Sequence, residues 1–247
     1  MSFKKLAYYR LSTILQFAQL FIWVFVDLIF FKSVFANVDS FAGWNYWDAV
    51  LLVFSLSLFW DIFWRVTSGG IAYIPEKIFS GNINQYLLKP INPLFSLAIS
   101  EVGILDNSLN TPILFIYFVA NQGFHFSFVQ IIGYLVMMLI GVGIFSWLLI
   151  IIVSLSFWSN NVDNLSQVYW DLQNLAKYPK DIFTGFVGNL FMFVIPVFFI
   201  ANLPTDVLRH GVNFNYILLG ILLNIILAVV GINVWRYGLK MFKGTSM

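Results

Sequence analysis

Long apolar runs dominate this chain and constrain its fold more than any other feature. A helix needs about 20 apolar residues to cross a bilayer core of ~30 Å, and the runs approach or exceed that length. Of the 247 residues, 60% are apolar and only 10% are charged. So few polar side chains cannot solvate the surface of a soluble domain of this size, which makes the bilayer the solvent. The sequence therefore predicts an all-α membrane protein.

Six apolar runs are long enough to be read as transmembrane helices. We place them at residues 11–31, 48–66, 109–119, 128–157, 183–201 and 216–237. The first run is longer than the apolar core of a secretory signal, which has about 7 to 15 residues, so we predict a retained span. Polar residues and Pro112 interrupt the third run. Its apolar lead-in from Leu94 is predicted to be a tilted or interfacial segment before a short helix.

The positions of Lys and Arg predict how the chain is oriented. In the six-span arrangement eleven of the 13 basic residues fall on one side. These are Lys4, Lys5, Arg10, Arg65, Lys77, Lys89, Lys177, Lys180, Arg236, Lys240 and Lys243, whereas Lys32 and Arg209 fall on the other side. Cytoplasmic loops retain Lys and Arg, so both termini are predicted to be cytoplasmic.

The N-terminal segment of the chain is basic and amphipathic. Residues 1–12 combine an apolar helical face with Lys4, Lys5 and Arg10, which predicts a helix lying on the cytoplasmic surface of the membrane. The alternative is a basic tail that only sets the topology.

The composition also excludes several functions. A net charge of +2 does not suit nucleic-acid binding, and the absence of Cys excludes thiolate metal sites and Cys nucleophiles.

Residues 68–93 connect the second and third predicted spans on the cytoplasmic side. Several Gly and Pro residues in this stretch break it into short pieces. Gly81 and Pro90 bracket a short helical turn. Within it, Ile83, Tyr86, Leu87 and Leu88 are apolar, whereas Asn84, Gln85 and Lys89 suit water. The sequence predicts a compact cytoplasmic module that a partner protein can bind.

Two stretches resemble a known family. Residues 81–94, GNINQYLLKPINPL, and residues 175–183, LAKYPKDIF, followed by IPVFF at 195–199, are similar to signature stretches of the permease subunits of type-two ABC exporters, in particular a six-span branch. Their order and spacing agree with the topology predicted from charge. The sequence departs from the branch at Lys89, where arginine is expected; lysine also supplies a cation but lacks the bidentate fork.

This resemblance implies a transport machine rather than a lone protein. Two permease subunits, identical or homologous, form the pathway, and two copies of a cytoplasmic ATPase subunit bind ATP and Mg and drive export across the cell (plasma or inner) membrane. The chain has no G-x-x-x-x-G-K-[ST] loop for ATP phosphates, and no cofactor is expected on it. The resemblance assigns coupling to the ATPase to Ile83, Gln85, Tyr86, Leu87, Leu88 and Lys89. The alternative is a loop helix that only packs under the bundle.

The stretch after the fifth predicted span carries a candidate outer gate. Pro196 and Pro204 disrupt regular helix there, which is tolerated at membrane depth only beside protein or a water-filled cavity. The resemblance suggests a short helix or helix pair dipping back toward the bilayer around residues 202–211.

Charged residues inside the predicted spans leave a second function open. The carboxylates of Asp27 and Asp61 are costly to place in a bilayer. Arg65 lies one helical turn after Asp61, so an ion pair between them near the cytoplasmic boundary explains why Asp61 is tolerated. An ion-coupled secondary transporter using Asp27 or Asp61 is the alternative to the ABC permease. Catalysis by this chain is not expected, because it has two His and neither a H-E-x-x-H nor a G-x-S-x-G motif.

Overall fold

Helices are the regular secondary structure of the described residues, which otherwise contain turns, loops and one isolated bridge between Phe41 and Trp44. The computed structural model describes residues 22, 24–65, 69–98, 100, 110–159 and 163–242, with backbone alone at 110 and 163–166. The predicted surface helix at residues 1–12 and the first half of the first predicted span lie outside the described residues. Residues 24–35, in its second half and just beyond, form a helix, α1.

A tight turn leads from α1 into α2, Tyr46–Phe63. Phe41 and Trp44 exchange backbone hydrogen bonds of 2.8 and 3.0 Å, with Ala42 and Gly43 at φ angles of 51° and 77° between them. Asn45 and Asp48 then form a capping box that satisfies the first free N–H groups of α2. The turn buries Trp44 completely at the N-terminal end of α2.

The segment after α2 forms short helices at the C-terminal end of α2. They are α3 (Ile74–Phe79), α4 (Asn84–Leu87) and α5 (Pro93–Ala98). Gly81, at a φ of 72°, follows the end of α3 and separates it from α4. α3 packs against the end of the helix Phe128–Ser154 and the 3₁₀ turn that follows it.

The next helices agree closely with the predicted third and fourth spans. α6 (Asn110–Gln122) runs antiparallel to α2, since Thr111 bonds to Asp61 near the end of α2 and Tyr117 bonds to Tyr46 at its beginning. α7 (Phe128–Ser154) continues as a 3₁₀ turn, Leu155–Phe157. A capping box formed by Ser127 and Gln130 begins it.

The chain after α7 differs most from the sequence prediction. The helix α8 (Asp163–Asn174) continues as a 3₁₀ turn, Leu175–Lys177, and a second 3₁₀ turn covers Lys180–Ile182. This segment runs the length of α2: Trp170 contacts Trp60 and Trp64 at the C-terminal end of α2, and Asp181 accepts a hydrogen bond from Trp44 at the N-terminal end.

The fifth predicted span, 183–201, is not one continuous helix. It is divided into α9 (Gly185–Asn189), a π-helix (Leu190–Val194), a break at Ile195 and Pro196, and a 3₁₀ turn (Val197–Phe199). α10 (Asn202–His210) then returns to the N-terminal end of α2, and α11 (Phe214–Met241) follows. We call residues 183–210 the hairpin segment.

The hairpin segment reaches deep between α7 and α11. A Cβ on Gly141 of α7 would lie 2.2 Å from the Phe199 carbonyl oxygen, and one on Gly220 of α11 would lie 2.6 Å from the Phe199 ring. Only glycine permits these approaches. Ser55 of α2 accepts a hydrogen bond from Tyr134 of α7 at 3.2 Å and lies 2.9 Å from the Thr205 hydroxyl of α10.

Within the described part of the chain, three helices are long and apolar enough to cross a membrane by length and composition: Tyr46–Phe63, Phe128–Phe157 and Phe214–Met241. α11 packs along α7, and its remaining surface carries exposed Leu, Ile and Val side chains. Such a surface is stable in hydrocarbon, which agrees with the predicted all-α membrane protein.

Candidate functional site

The predicted ATPase-coupling residues divide into an inward and an outward set. Ile83 and Tyr86 are buried against the bundle, and Leu87 is half-buried. Gln85 and Lys89 are exposed, and Leu88 is 86% exposed, more than any other large apolar side chain described. The side chain of Leu88 is therefore an uncovered apolar group that a partner protein or lipid can cover.

Tyr86 holds the loop in shape rather than presenting a surface. Its ring lies between two cations, with Lys89 Nζ 4.8 Å and Lys77 Nζ 5.2 Å from the ring centroid. Lys77 also lies 3.4 Å from the Ser100 hydroxyl, which joins α3 to the segment after α5. The exposed side chains of Gln85, Leu88 and Lys89 therefore lie on a loop that is braced by these contacts.

The candidate intramembrane charges all have close electrostatic neighbours. Asp61 accepts a hydrogen bond from Thr111 of α6 and lies near Arg65, as the spacing along α2 indicates. Asp27 of α1 lies near Lys177, which was predicted to be in a loop on the cytoplasmic side. The Arg65 Nε atom is buried without a hydrogen-bond partner.

The two prolines of the candidate gate are both buried within the hairpin segment. Pro196 follows the π-helix, where its fixed φ of −70° ends the helical run. Pro204 is in the first turn of α10, where a missing N–H costs little because the first four N–H groups of a helix have no partner within it.

A cluster of ion pairs at the N-terminal end of α2 was missed by the sequence analysis. We call it the Arg209 cluster: Asp48, Lys180, Asp181, Asp206 and Arg209. Arg209 Nε lies 3.0 Å from Asp48, its Nη1 lies 3.1 Å from Asp206, and its Nη2 donates to the Gly43 carbonyl at 2.8 Å. Its guanidinium carbon is 3.9 Å from the Trp44 ring centroid.

Lys180 completes the cluster and corrects the predicted topology. Its Nζ lies 3.1 Å from both Asp206 and Asp181. Lys180 and Arg209 were predicted on opposite sides of the membrane, but both contact Asp206. This part of the predicted topology is therefore wrong. The apolar residues 183–201, which hydropathy favours as a span, form a broken helix instead. The pattern of charges along the sequence did not indicate the cluster, because its members come from three separate stretches, at residue 48, residues 180–181 and residues 206–209.

Proton equilibria in the cluster follow from these contacts. Burial opposes the charge on Lys180, but Asp206 and Asp181 outweigh it and raise the pKa of Lys180 above its usual value. Burial also works against the Asp181 carboxylate, yet the hydrogen bonds from Trp44 and Lys180 leave the pKa of Asp181 below its usual value. Both groups are therefore held in their charged forms.

Comparison with known proteins identifies the family. Residues 21–246 match the family described as ABC-2 family transporter protein. The chain belongs to the ABC-2 transporter family. It is therefore a transporter permease and a membrane-embedded transport component, and permeases of this family generally work with an ATPase subunit. No curated protein and no solved structure matches the chain.

Proposed function

We propose that this chain is the permease subunit of an ATP-driven exporter, crossing the cell membrane six times with both termini in the cytoplasm. Two such permeases, identical or homologous, form the pathway by alternating access, and two copies of a separate ATPase subunit bind ATP and Mg. Family membership and the absence of an ATP-phosphate loop from the sequence support this division of labour.

The six crossings we propose are α1, α2, α6, α7, residues 163–178, and α11. The fifth crossing combines α8 with one 3₁₀ turn, giving a length of about 24 Å, which is short but comparable to α2. The hairpin segment then enters and leaves the membrane from outside. With Lys180 outside and Lys177 within the crossing, nine of the 13 basic residues remain cytoplasmic, so the charge bias still supports this orientation.

The observation that carries the proposal is the exposure of Leu88 on the braced loop between α3 and α5. We assign Gln85, Leu88 and Lys89 to contact with the ATPase, and Ile83 and Tyr86 to holding the loop that transmits the force. ATP-driven movement of the partner would then push the loop against the C-terminal ends of α2 and α7 and tilt them.

The test is ATPase coupling in the complex purified from native membranes. Leu88→Asp places a charge in the apolar contact, so it is expected to lower co-purification of the ATPase, and any stimulated hydrolysis, at least tenfold. Val38→Asp is the matched control, because Val38 is an exposed apolar residue in the loop before α2. An unchanged yield of bound ATPase in Leu88→Asp would refute the assignment. Tyr86→Ala is a poorer probe, since it also removes a buried side chain.

The ion-coupled alternative, which used Asp27 or Asp61, has less support. Thr111 and Arg65 engage Asp61, and Lys177 lies near Asp27, so neither carboxylate is isolated in the way that a coupling site binding a free cation needs. Retention of transport in Asp27→Asn and Asp61→Asn variants is the expected result for the exporter.

A further inference from the structure

The outer face of α11 changes from apolar to cationic along its length. Leu222, Val229 and Arg236 are seven residues apart, which is about two helical turns, so they lie on one face of the helix. All three are exposed. Arg236 lies about 33 Å along the helix from Phe214, just beyond the ~30 Å of a hydrocarbon core. The face therefore passes from lipid chains to lipid headgroups near Arg236.

Two cations at this end of α11 lack a carboxylate partner. Arg236 and Lys240 are four residues apart, which makes them neighbours on the helix surface. Both are exposed, and among the described residues no ion pair involves either of them. Like charges at this spacing repel each other. An anion that contacts both side chains removes that repulsion and gains two attractions.

An aromatic pair borders the two cations. The Trp158 ring stacks on the Tyr237 ring, with 5.8 Å between the ring centroids and 22° between the planes. Tyr237 precedes Lys240 by three residues, so it also neighbours Lys240 on the helix surface. Both rings are partly exposed. Rings that combine an apolar body with an N–H or O–H donor are suited to the boundary between lipid chains and headgroups.

The aromatic pair lies at the end of the bundle that carries the loop between α3 and α5. α3 packs against the 3₁₀ turn Leu155–Phe157, and the Phe157 ring lies 5.3 Å from the Trp235 ring of α11. Trp158 follows this turn directly. In the proposed orientation this end of the bundle is cytoplasmic, so a lipid of the cytoplasmic leaflet can contact both α11 and the residue after the turn.

We propose that Arg236, Lys240, Tyr237 and Trp158 bind the headgroup of an anionic phospholipid, whose acyl chains lie along the apolar face of α11. The lipid phosphate contacts the two cations, and the ring pair covers the glycerol region. In a zwitterionic lipid an ammonium group already neutralises the phosphate, so the two cations gain less from it. The proposal goes beyond the permease function and requires only that the chain is embedded in a membrane.

Lipid titration of the full chain tests this site. The delipidated chain in nonionic detergent is titrated with phosphatidylglycerol, or with phosphatidylcholine of the same acyl chains, and native mass spectrometry counts the bound lipid. The wild-type chain is expected to bind phosphatidylglycerol selectively and saturably. The double variant Arg236→Gln and Lys240→Gln should lower this affinity at least tenfold, because two cations are lost. Arg236→Lys should stay within about threefold of the wild type, because the charge is kept.

Lys32→Gln is the matched control, because Lys32 is an exposed cation near the end of α1 with no other Lys or Arg within four residues. It should bind phosphatidylglycerol as the wild type does, and thermal unfolding should confirm that each variant is folded. Equal binding of the two lipids, unchanged affinity in the double variant, or an equal loss in Lys32→Gln would each overturn the proposal. Displacement of the lipid by inorganic phosphate would overturn it too, since that result describes an anion site without acyl-chain contacts.

Discussion

At the scale of single residues, Gln173 is a fully buried polar side chain of the helix α8. Its amide lies near the Tyr169 hydroxyl, but neither amide atom makes a hydrogen bond of good geometry. The nearby Tyr169 hydroxyl gives its proton to Phe145 instead. An unpaired buried polar group costs about 1–3 kcal/mol, and methionine has nearly the same length without that cost.

We therefore expect Gln173→Met to raise the free energy of unfolding by about 1 kcal/mol. The measurement is the midpoint of unfolding in detergent, followed by intrinsic fluorescence. Gln122→Met, at the exposed end of α6, is the control and should leave the midpoint unchanged. A lower midpoint in Gln173→Met would show that the amide is used in the folded protein.

The lowered pKa of Asp181 makes the stability of the folded protein depend on pH. Its pKa is lowered in the folded protein, so it binds protons less readily there than in the unfolded chain. Its contribution is present above its ordinary pKa of 3.8 and is lost as the pH falls through the folded pKa. We expect Asp181→Asn to lower the unfolding temperature at pH 7, and we expect its difference from the wild type to shrink as the pH falls below 3.8. A constant difference between them across this range would contradict the assigned contacts.

At the scale of elements, the hairpin segment depends on two glycines in its neighbours. Alanine at Gly141 would put a Cβ 2.2 Å from a backbone carbonyl, so α7 and the Phe199 turn must separate. We expect Gly141→Ala to destabilise the protein by about 1–3 kcal/mol, as overpacking does. Gly231→Ala on α11 is a milder control, because the nearest atoms to its Cβ belong to side chains, at 3.1 Å from the Trp147 ring and 3.6 Å from Ile151. Thermal unfolding of both variants decides the comparison, and equal effects would refute it.

The elements also show what could be predicted from the sequence. The helices α2, α6, α7 and α11 were found because their surfaces are apolar or their ends carry clear caps. The fifth predicted span differs from the structure, because hydropathy does not show where an apolar run is broken and cannot tell a polar helix inside a membrane from a loop. Residues 183–201 are apolar enough for a span, yet Pro196 and the close approach at Gly141 hold them in a broken hairpin.

The candidate site was predictable only in part, for a similar reason. The motif at residues 81–94 drew attention to the loop that we propose for coupling, but the sequence could not tell which of its side chains face inward. Burial of Ile83 and Tyr86 and exposure of Leu88 depend on how the loop packs under α7. The Arg209 cluster and the Trp64–Trp170 stack join residues more than 100 positions apart, so only the fold reveals them.

At the scale of the whole molecule, the two possible fifth crossings predict opposite locations for Thr184. If residues 183–201 crossed the membrane, Thr184 would lie at the cytoplasmic boundary. With residues 163–178 as the crossing, it lies outside, just after the Lys180–Ile182 turn that meets the Arg209 cluster. The chain contains no Cys, so a single introduced thiol reports its own position.

We expect a membrane-impermeant maleimide to label Thr184→Cys on intact cells, because the side chain is exposed. Asp39→Cys should be labelled in the same way, and Lys89→Cys only after the membrane is opened, since both are exposed residues assigned to opposite sides. Labelling of Thr184→Cys only after permeabilisation would return the fifth crossing to 183–201. It would also place Lys180 and Arg209 on different sides, which their shared contact with Asp206 does not allow, so the fold itself is at stake in this measurement.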